Sequence, residues 1–211
     1  MTAQGASVGS AGVDPDEAVR SAILQAAIRC FREHAFNDVT LATVADAAAL
    51  DLDAVTAWYP TLNGLVIDTV QLWNARRTEP LLPIAEQAGA VAFLRAILAA
   101  NQADPGLMRL LTAMVNLAAT PGHPLTPPLQ RQWLHFHASV QRTLANDIAT
   151  RREPSAMEAA AGAEQLIALY EGLQLQSMLR PSMDVLASYD RAVARLREGW
   201  SRPASPQVWD I

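Results

Sequence analysis

The sequence predicts an all-α chain, a small three-helix head at the N-terminus joined to a larger helical body. Three observations carry this. Apolar residues recur three or four apart in one segment after another, and each segment is bounded by proline, glycine or a polar turn. No run alternates with period two among β-branched residues, so no sheet is expected. The chain has 211 residues and is 51% apolar, enough to bury a sizeable core.

Residues 1–13, "MTAQGASVGSAGV", hold small residues with almost no large apolar group and read as a flexible arm. A first helix is expected near 15–34. Asp14 is placed to cap it, Pro15 to start it and acids to fill its first turn, while Val19, Ile23, Ala27, Cys30 and Phe31 recur at helical spacing. Thr40 is placed to cap a short helix through Val44 and Ala45, "AAALD" to make a turn, and Asp51 to cap a second short helix that Pro60 closes. Longer helices follow near 62–77, 80–102 (with Pro83 and Gly89 as candidate breaks), 105–119, 125–151, 155–179 and 182–200. Residues 14–60 form the head, 61–203 the body and 204–211 a loose tail on which Trp209 offers a docking group. No internal repeat of roughly 20–50 residues is visible.

Charge is distributed unevenly. Residues 1–66 carry eight acids against three bases (Arg20, Arg29, Arg32), while the remainder carries thirteen of each, so the whole formal charge of −5 belongs to the head. That is the wrong sign for a surface meant to lie on phosphates. All sixteen basic residues are arginine. The single cysteine, Cys30, sits among apolar neighbours and reads as a buried thiol rather than a nucleophile. No stretch approaches the roughly 18 consecutive apolar residues of a membrane span, and the N-terminus lacks the pattern of a secretory signal, so a cytoplasmic chain without a membrane partner is expected.

Residues 23–70 carry a family resemblance. Ile23, Leu24, Ala26, Ala27 and Phe31 of the first helix, then Phe36, Thr40, the Val44-Ala45 pair, Ala48, Tyr59 and Leu65, resemble the helix-turn-helix head of TetR-type bacterial transcription regulators, matched in spacing without a gap. Around Gly172-Leu173, "AEQLIALYEGLQLQSML" resembles more loosely that family's penultimate helix. The resemblance implies a dimeric regulator, paired through residues 155–200, whose body encloses a small hydrophobic ligand, with no cofactor.

The framework matches that pattern better than the DNA chemistry does. Ala49 stands where the family's turn usually has glycine and Ala35 where a glycine usually ends the first helix; both are tolerable if those backbones avoid positive φ. Thr43 replaces a frequent phosphate-contacting arginine, Thr56 a tyrosine, Trp58 a histidine and Leu62 a lysine. The candidate DNA contacts are therefore Thr40, Thr43, Asp51, Asp53, Thr56, Trp58, Tyr59 and Thr61. Asp51 and Asp53 can accept from a cytosine amino group but also lie near phosphates, and Asp51 can instead turn its side chain back onto its own helix. Half or more of protein–DNA hydrogen bonds go to phosphate and sugar, so weak DNA binding is expected, or binding beside a more basic paralogue as a heterodimer.

In the body, Leu129, Trp133, Phe136, Val140, Leu144 and Ile148 make one apolar stripe. The candidate ligand-binding residues are Trp73, Phe93, Leu111, Met114, Trp133, Phe136, His137, Tyr170, Glu171 and Gln174, an aromatic and methionine-bearing lining with few polar groups. His135 and His137 lie two apart, pointing roughly 200° away from each other on a helix, and no metal-ligand spacing, phosphate loop or nucleophile elbow occurs. No catalytic or metal residue is assigned. The alternative is a chain of this fold that no longer binds DNA and serves as a ligand-binding or protein-interaction module, or as an enzyme on a hydrophobic metabolite through Glu171, His137 and Tyr170.

Overall fold

The computed structural model describes residues 15–202, and these are helical with no strand among them. The arm 1–13, the Asp14 cap and the tail 204–211 with Trp209 lie outside the described residues. Helix α1 (Pro15–Glu33) carries Asp16 and Glu17 in its first turn and Arg32 in its last, both signs matching the helix dipole. Its inner face buries Ile23, Leu24, Ala27, Ile28 and Phe31. A 3-10 turn at Phe36–Asp38, not anticipated from sequence, stacks Phe36 on Phe31 with ring centroids 6.3 Å apart.

Helix α2 (Leu41–Ala48) opens on a reciprocal cap. Thr40 Oγ1 accepts from the Thr43 N–H at 3.1 Å, and Thr43 Oγ1 accepts from the Thr40 N–H at 2.9 Å. The helix closes on Ala49 at φ 55°, ψ 43°, so the expectation that this backbone avoids positive φ fails. An alanine in the left-handed region costs about 1 kcal/mol relative to glycine. The turn persists because the Ala49 N–H reaches the Ala45 and Asp46 carbonyls and the Leu50 N–H bonds Ala45 O at 3.0 Å. Ala35 is extended (φ −68°, ψ 153°) and has no need of glycine. Helix α3 (Leu52–Trp58) follows, then α4 (Leu62–Thr78), capped by Thr61 Oγ1 accepting from the Gly64 N–H at 3.2 Å.

A 3-10 turn at Glu79–Leu81 leads into α5 (Leu82–Gln102). Of the two candidate breaks, Pro83 lies in the first turn, where its missing N–H is harmless, and Gly89 is the real one. Gly89 adopts φ 85°, ψ −179°, a conformation essentially restricted to glycine. The space beside it is filled by the buried carboxylate of Asp147, which accepts the Ala90 N–H at 2.8 Å and pairs with Arg152. Helices α6 (Pro105–Ala118), α7 (Thr126–Ala149), α8 (Ala159–Leu179) and α9 (Val185–Trp200) complete the body. Helix α8 starts four residues later than expected. A turn from Pro154 to Met157 intervenes, and the Met157 side chain packs on Gly162, where a Cβ would come within 2.6 Å of its sulfur.

The apolar packing forms two clusters. One joins α1–α4 to α6 and to Leu125 and Leu129, so it runs across residue 60; the other joins α5, α7, α8 and α9. Leu62–Gln102 is the one run among the described residues that is long and apolar enough to cross a membrane, and Leu65, Val66, Val70, Phe93 and Leu94 within it are buried in these clusters.

Candidate functional site: the head surface and the body cavity

The hydroxyls of the head are largely engaged in holding its own helices. Thr43 Oγ1 donates to Thr40 O at 2.8 Å in addition to its cap bond, Thr56 Oγ1 donates to Asp53 O at 3.1 Å, and Thr61 accepts as a cap. Tyr59 is buried, its hydroxyl donating to Asp68 at 3.0 Å, and burial together with that carboxylate pushes its phenol up to about 12. It is therefore a framework residue with no reach to a ligand outside. Trp58 is exposed at the end of α3. Asp51 holds the N-cap position of α3, but its side chain makes no cap bond, contrary to the expectation that it turns back. Asp51 and Asp53 are both exposed.

The three arginines of the head are engaged by other groups of the chain. Arg20 pairs with Asp68 at 2.9 Å and Arg32 with Asp104 at 2.7 Å, while Arg29 donates to the Ala47 carbonyl at 2.7 Å. Only Arg29 of the three makes no ion pair among the described residues.

In the body, a cavity of about 260 Å³ lies between α4, α5, α6, α7 and α8. Of the sequence candidates, Phe93, Leu111, Trp133, Phe136 and Tyr170 line it, with Phe136 and Tyr170 in tilted contact at 6.1 Å. Trp73, Met114, His137, Glu171 and Gln174 do not. Trp73 and Met114 are buried in the α1–α4 cluster. Gln174 accepts from Asn101 Nδ2 at 2.8 Å. Glu171 interacts with Trp133 and His137 at the α7–α8 contact; burial pushes its carboxyl up, and its Oε1 has no hydrogen-bond partner.

The lining residues that sequence reasoning missed are polar: Asn74, Arg77, Thr78, Gln132, His135 and Ser139, alongside Leu82 and Ile97. Arg77 stands out among them. Its guanidinium lies 4.2 Å from the Trp73 ring centroid and donates to Asn74 at 2.6 Å and to Asn101, whose own amide donates to Tyr170 Oη at 2.8 Å. Among the described residues Arg77 makes no ion pair, and its Nε is buried without a partner. Burial lowers its pKa.

The same helix reaches the head. Trp73 Nε1 donates to Asp104 at 3.1 Å, and Asp104 also holds Arg32 of α1. Beside this bracket, Gly106 sits against the α1 backbone so closely that a Cβ would fall 2.6 Å from Arg32 Cα, and Arg109 donates to Arg32 O at 3.2 Å.

No family sequence model matches the chain, and no curated protein matches it significantly. Solved structures do. A TetR transcription regulator from Haloarcula marismortui superposes with a TM-score of 0.76 at 17% identity, over 87% of this chain and 98% of that one. The chain has the TetR-regulator fold. Two further structures with this fold are ligand complexes. The regulator FadR of Bacillus subtilis, in complex with stearoyl-CoA, superposes with a TM-score of 0.71 at 9% identity, over 85% of this chain and 98% of that one. FadR of Thermus thermophilus, a TetR-family repressor in complex with lauroyl-CoA, gives 0.62 at 19%, over 89% and 98%. Within this TetR-type architecture the head retains its buried framework, Ile23, Phe31, Val44, Val55 and Tyr59, while its outer face offers carboxylates. Among the described residues no group of three His, Cys, Asp or Glu side chains is placed to hold a metal ion.

Proposed function

We propose that this chain is a ligand-responsive regulator with residues 14–60 as its reading head and 61–203 as its ligand-binding and dimerisation body. Its ligand is small and mainly apolar, and its acidic head binds DNA weakly alone or gains affinity from a more basic partner chain. One observation carries the ligand reading: the residue Arg77 that lines the cavity also stacks on Trp73, which is tied through Asp104 to Arg32 of the head. Any ligand that moves the last turn of α4 therefore pulls on the joint between body and head within three contacts. The two acyl-CoA complexes support a TetR-type body as a host for elongated apolar groups. The cavity's 260 Å³ falls just below the ~300–1,000 Å³ usual for drug-sized ligands, which supports a molecule smaller than an acyl-CoA.

The test is a thermal-shift panel of six- to ten-carbon alcohols, acids and esters against the wild-type chain and Leu111→Trp, which fills the cavity. A ligand at a hundred times its Kd stabilises by about 2.7 kcal/mol. The expected result is a raised Tm for some members with wild type and none with Leu111→Trp; no shift throughout, or equal shifts in both, overturns the reading. Self-association is supported by Leu175 and Leu179 at the end of α8, which are 50% and 79% exposed. Sedimentation should give twice the chain mass for wild type and the single mass for Leu175→Arg/Leu179→Arg; a monomeric wild type refutes the dimer.

A further inference from the structure

The cavity is not only apolar. Its lining contains no carboxylate, yet it contains a half-buried guanidinium, its Nε fully buried, held between Trp73, Asn74 and Asn101. A cation drawn out of water is costly to leave unpaired, and in proteins such charges are normally matched by an acid or a bound anion. No carboxylate among the described residues pairs with it directly. Asp104 acts on it at longer range, its oxygens being hydrogen-bonded to Arg32 and Trp73, and Glu171 faces Trp133 and His137. The direct neighbours of Arg77 are neutral groups, the amide oxygens of Asn74 and Asn101, the Met108 sulfur and the Tyr170 hydroxyl, and one of its five donors, Nε–H, has nothing to bond. Of the other polar lining residues, Asn74, Gln132 and Ser139 can donate further hydrogen bonds, and the apolar lining includes Phe93, Ile97, Leu111 and Phe136.

We infer that the cavity takes an amphipathic monocarboxylate of about ten heavy atoms, its carboxylate set against Arg77 and its aliphatic body against the aromatic wall. This rests on the reading of the cavity as a ligand site and assigns its ligand a charge. A planar guanidinium matches a carboxylate in two-point geometry, and the missing anionic partner is then delivered by the ligand rather than by the chain. An uncharged ligand of the same length fills the same wall and leaves the cation unmatched.

The experiment compares octanoate with octan-1-ol by isothermal titration at pH 7.5 on the full wild-type chain, Arg77→Gln and Arg77→Lys. Wild type should bind octanoate about ten- to a hundredfold more tightly than octan-1-ol, the range expected of one hydrogen-bonded charge. Arg77→Gln should bind the two within about threefold of each other, with its affinity for octan-1-ol unchanged, and Arg77→Lys should keep most of the preference. The ratio is taken within each variant, so a general loss of stability does not imitate the effect. If the Gln variant is poorly folded, the wild-type ratio alone decides. Equal binding of both probes by wild type, or a preference retained in Arg77→Gln, overturns the charge assignment and leaves the cavity reading intact. Binding of neither probe overturns both.

Discussion

If the head is held off DNA by its charge, changing that charge at exposed positions should restore binding without touching the fold. Asp51→Asn/Asp53→Arg is the perturbation. Asp51 makes no cap bond and asparagine is as good a capping residue, so nothing is lost there. Asp53 is exposed in the first turn of α3, and replacing an acid by a base at a helix start costs about 0.3–1 kcal/mol, too little to unfold the head. Per head the change removes two negative charges and adds one positive. Six unit charges change across two heads, each worth about 0.5–1 kcal/mol against a phosphate ~4–8 Å away in water, so binding should improve by about 3–6 kcal/mol. That is roughly a hundred- to ten-thousandfold. The phosphate attraction is independent of sequence, so a labelled duplex of about 30 base pairs suffices, read by fluorescence anisotropy between about 50 and 200 mM salt. Wild type should show weak binding with a shallow salt dependence, and the variant should add about −1.8 to the slope of log K against log salt, two new contacts at ~0.9 each. A wild-type slope steeper than about −5, the signature of six phosphate contacts, would refute the electrostatic reasoning. So would an unchanged affinity in the variant.

Three further outcomes follow from the geometry. Gly89→Ala forces a Cβ to within 2.5 Å of Asp147 Oδ2 in a backbone conformation only glycine tolerates; strain of about 1–3 kcal/mol and disruption of the buried Asp147–Arg152 pair should lower the urea midpoint steeply, and an unchanged midpoint would contradict the close fit. Ala49→Gly relieves the left-handed alanine and should stabilise by about 1 kcal/mol, a Tm rise of roughly 2–4 °C, with no gain arguing that the turn is unstrained. Glu171→Gln should raise Tm at pH 7. Burial holds this carboxyl above its ordinary value of 4.5, so its ionised form costs stability above that value and costs nothing below it. The advantage of the variant should therefore shrink to nothing as pH falls through the ordinary carboxyl range, and a pH-independent difference would assign the effect to packing.

The helices were legible where their ends are written locally. Thr40 caps as its position implies, and the helical recurrence of Ile23, Ala27 and Phe31 places the buried face of α1. Errors fall where a distant residue decides a local conformation. The break at Gly89 rather than Pro83 depends on Asp147, whose carboxylate accepts the N–H of the next residue, Ala90, from fifty-seven positions away, and the late start of α8 depends on Met157 packing on Gly162. The cavity divides in the same way. Its aromatic wall could be read from large apolar residues spaced along body helices, but Trp73 and Met114 belong to the other cluster, which periodicity does not distinguish. Arg77 gave no signal, because an arginine in the last turn of a helix ordinarily serves the dipole at the surface. Only its contacts to Asn101 and Trp73 reveal a cation turned into the body.

Fold and outer surface are energetically separable in this head, so under the proposed reading one persists while the other changes. The residues that specify the three helices, Ile23, Phe31, Val44, Val55 and Tyr59, are all nearly inaccessible, and each contributes on the order of 1.5–3 kcal/mol by burial. Of the candidate DNA contacts, Thr40, Thr43, Asp51, Asp53, Trp58 and Thr61 are exposed, where substitution ordinarily changes stability by less than about 0.5 kcal/mol. A threonine at position 43, where the resemblance leads one to expect arginine, therefore leaves the scaffold intact. Tyr59 shows the boundary between the two sets: its hydroxyl is tied to Asp68, which is tied to Arg20, so a base of the head is drawn into the framework instead of being offered outward. Arg32 is drawn in likewise, to Asp104 at the joint with the body. The head thus spends its arginines on holding itself together and on holding the body, and the carboxylates of α3 are left facing outward without them.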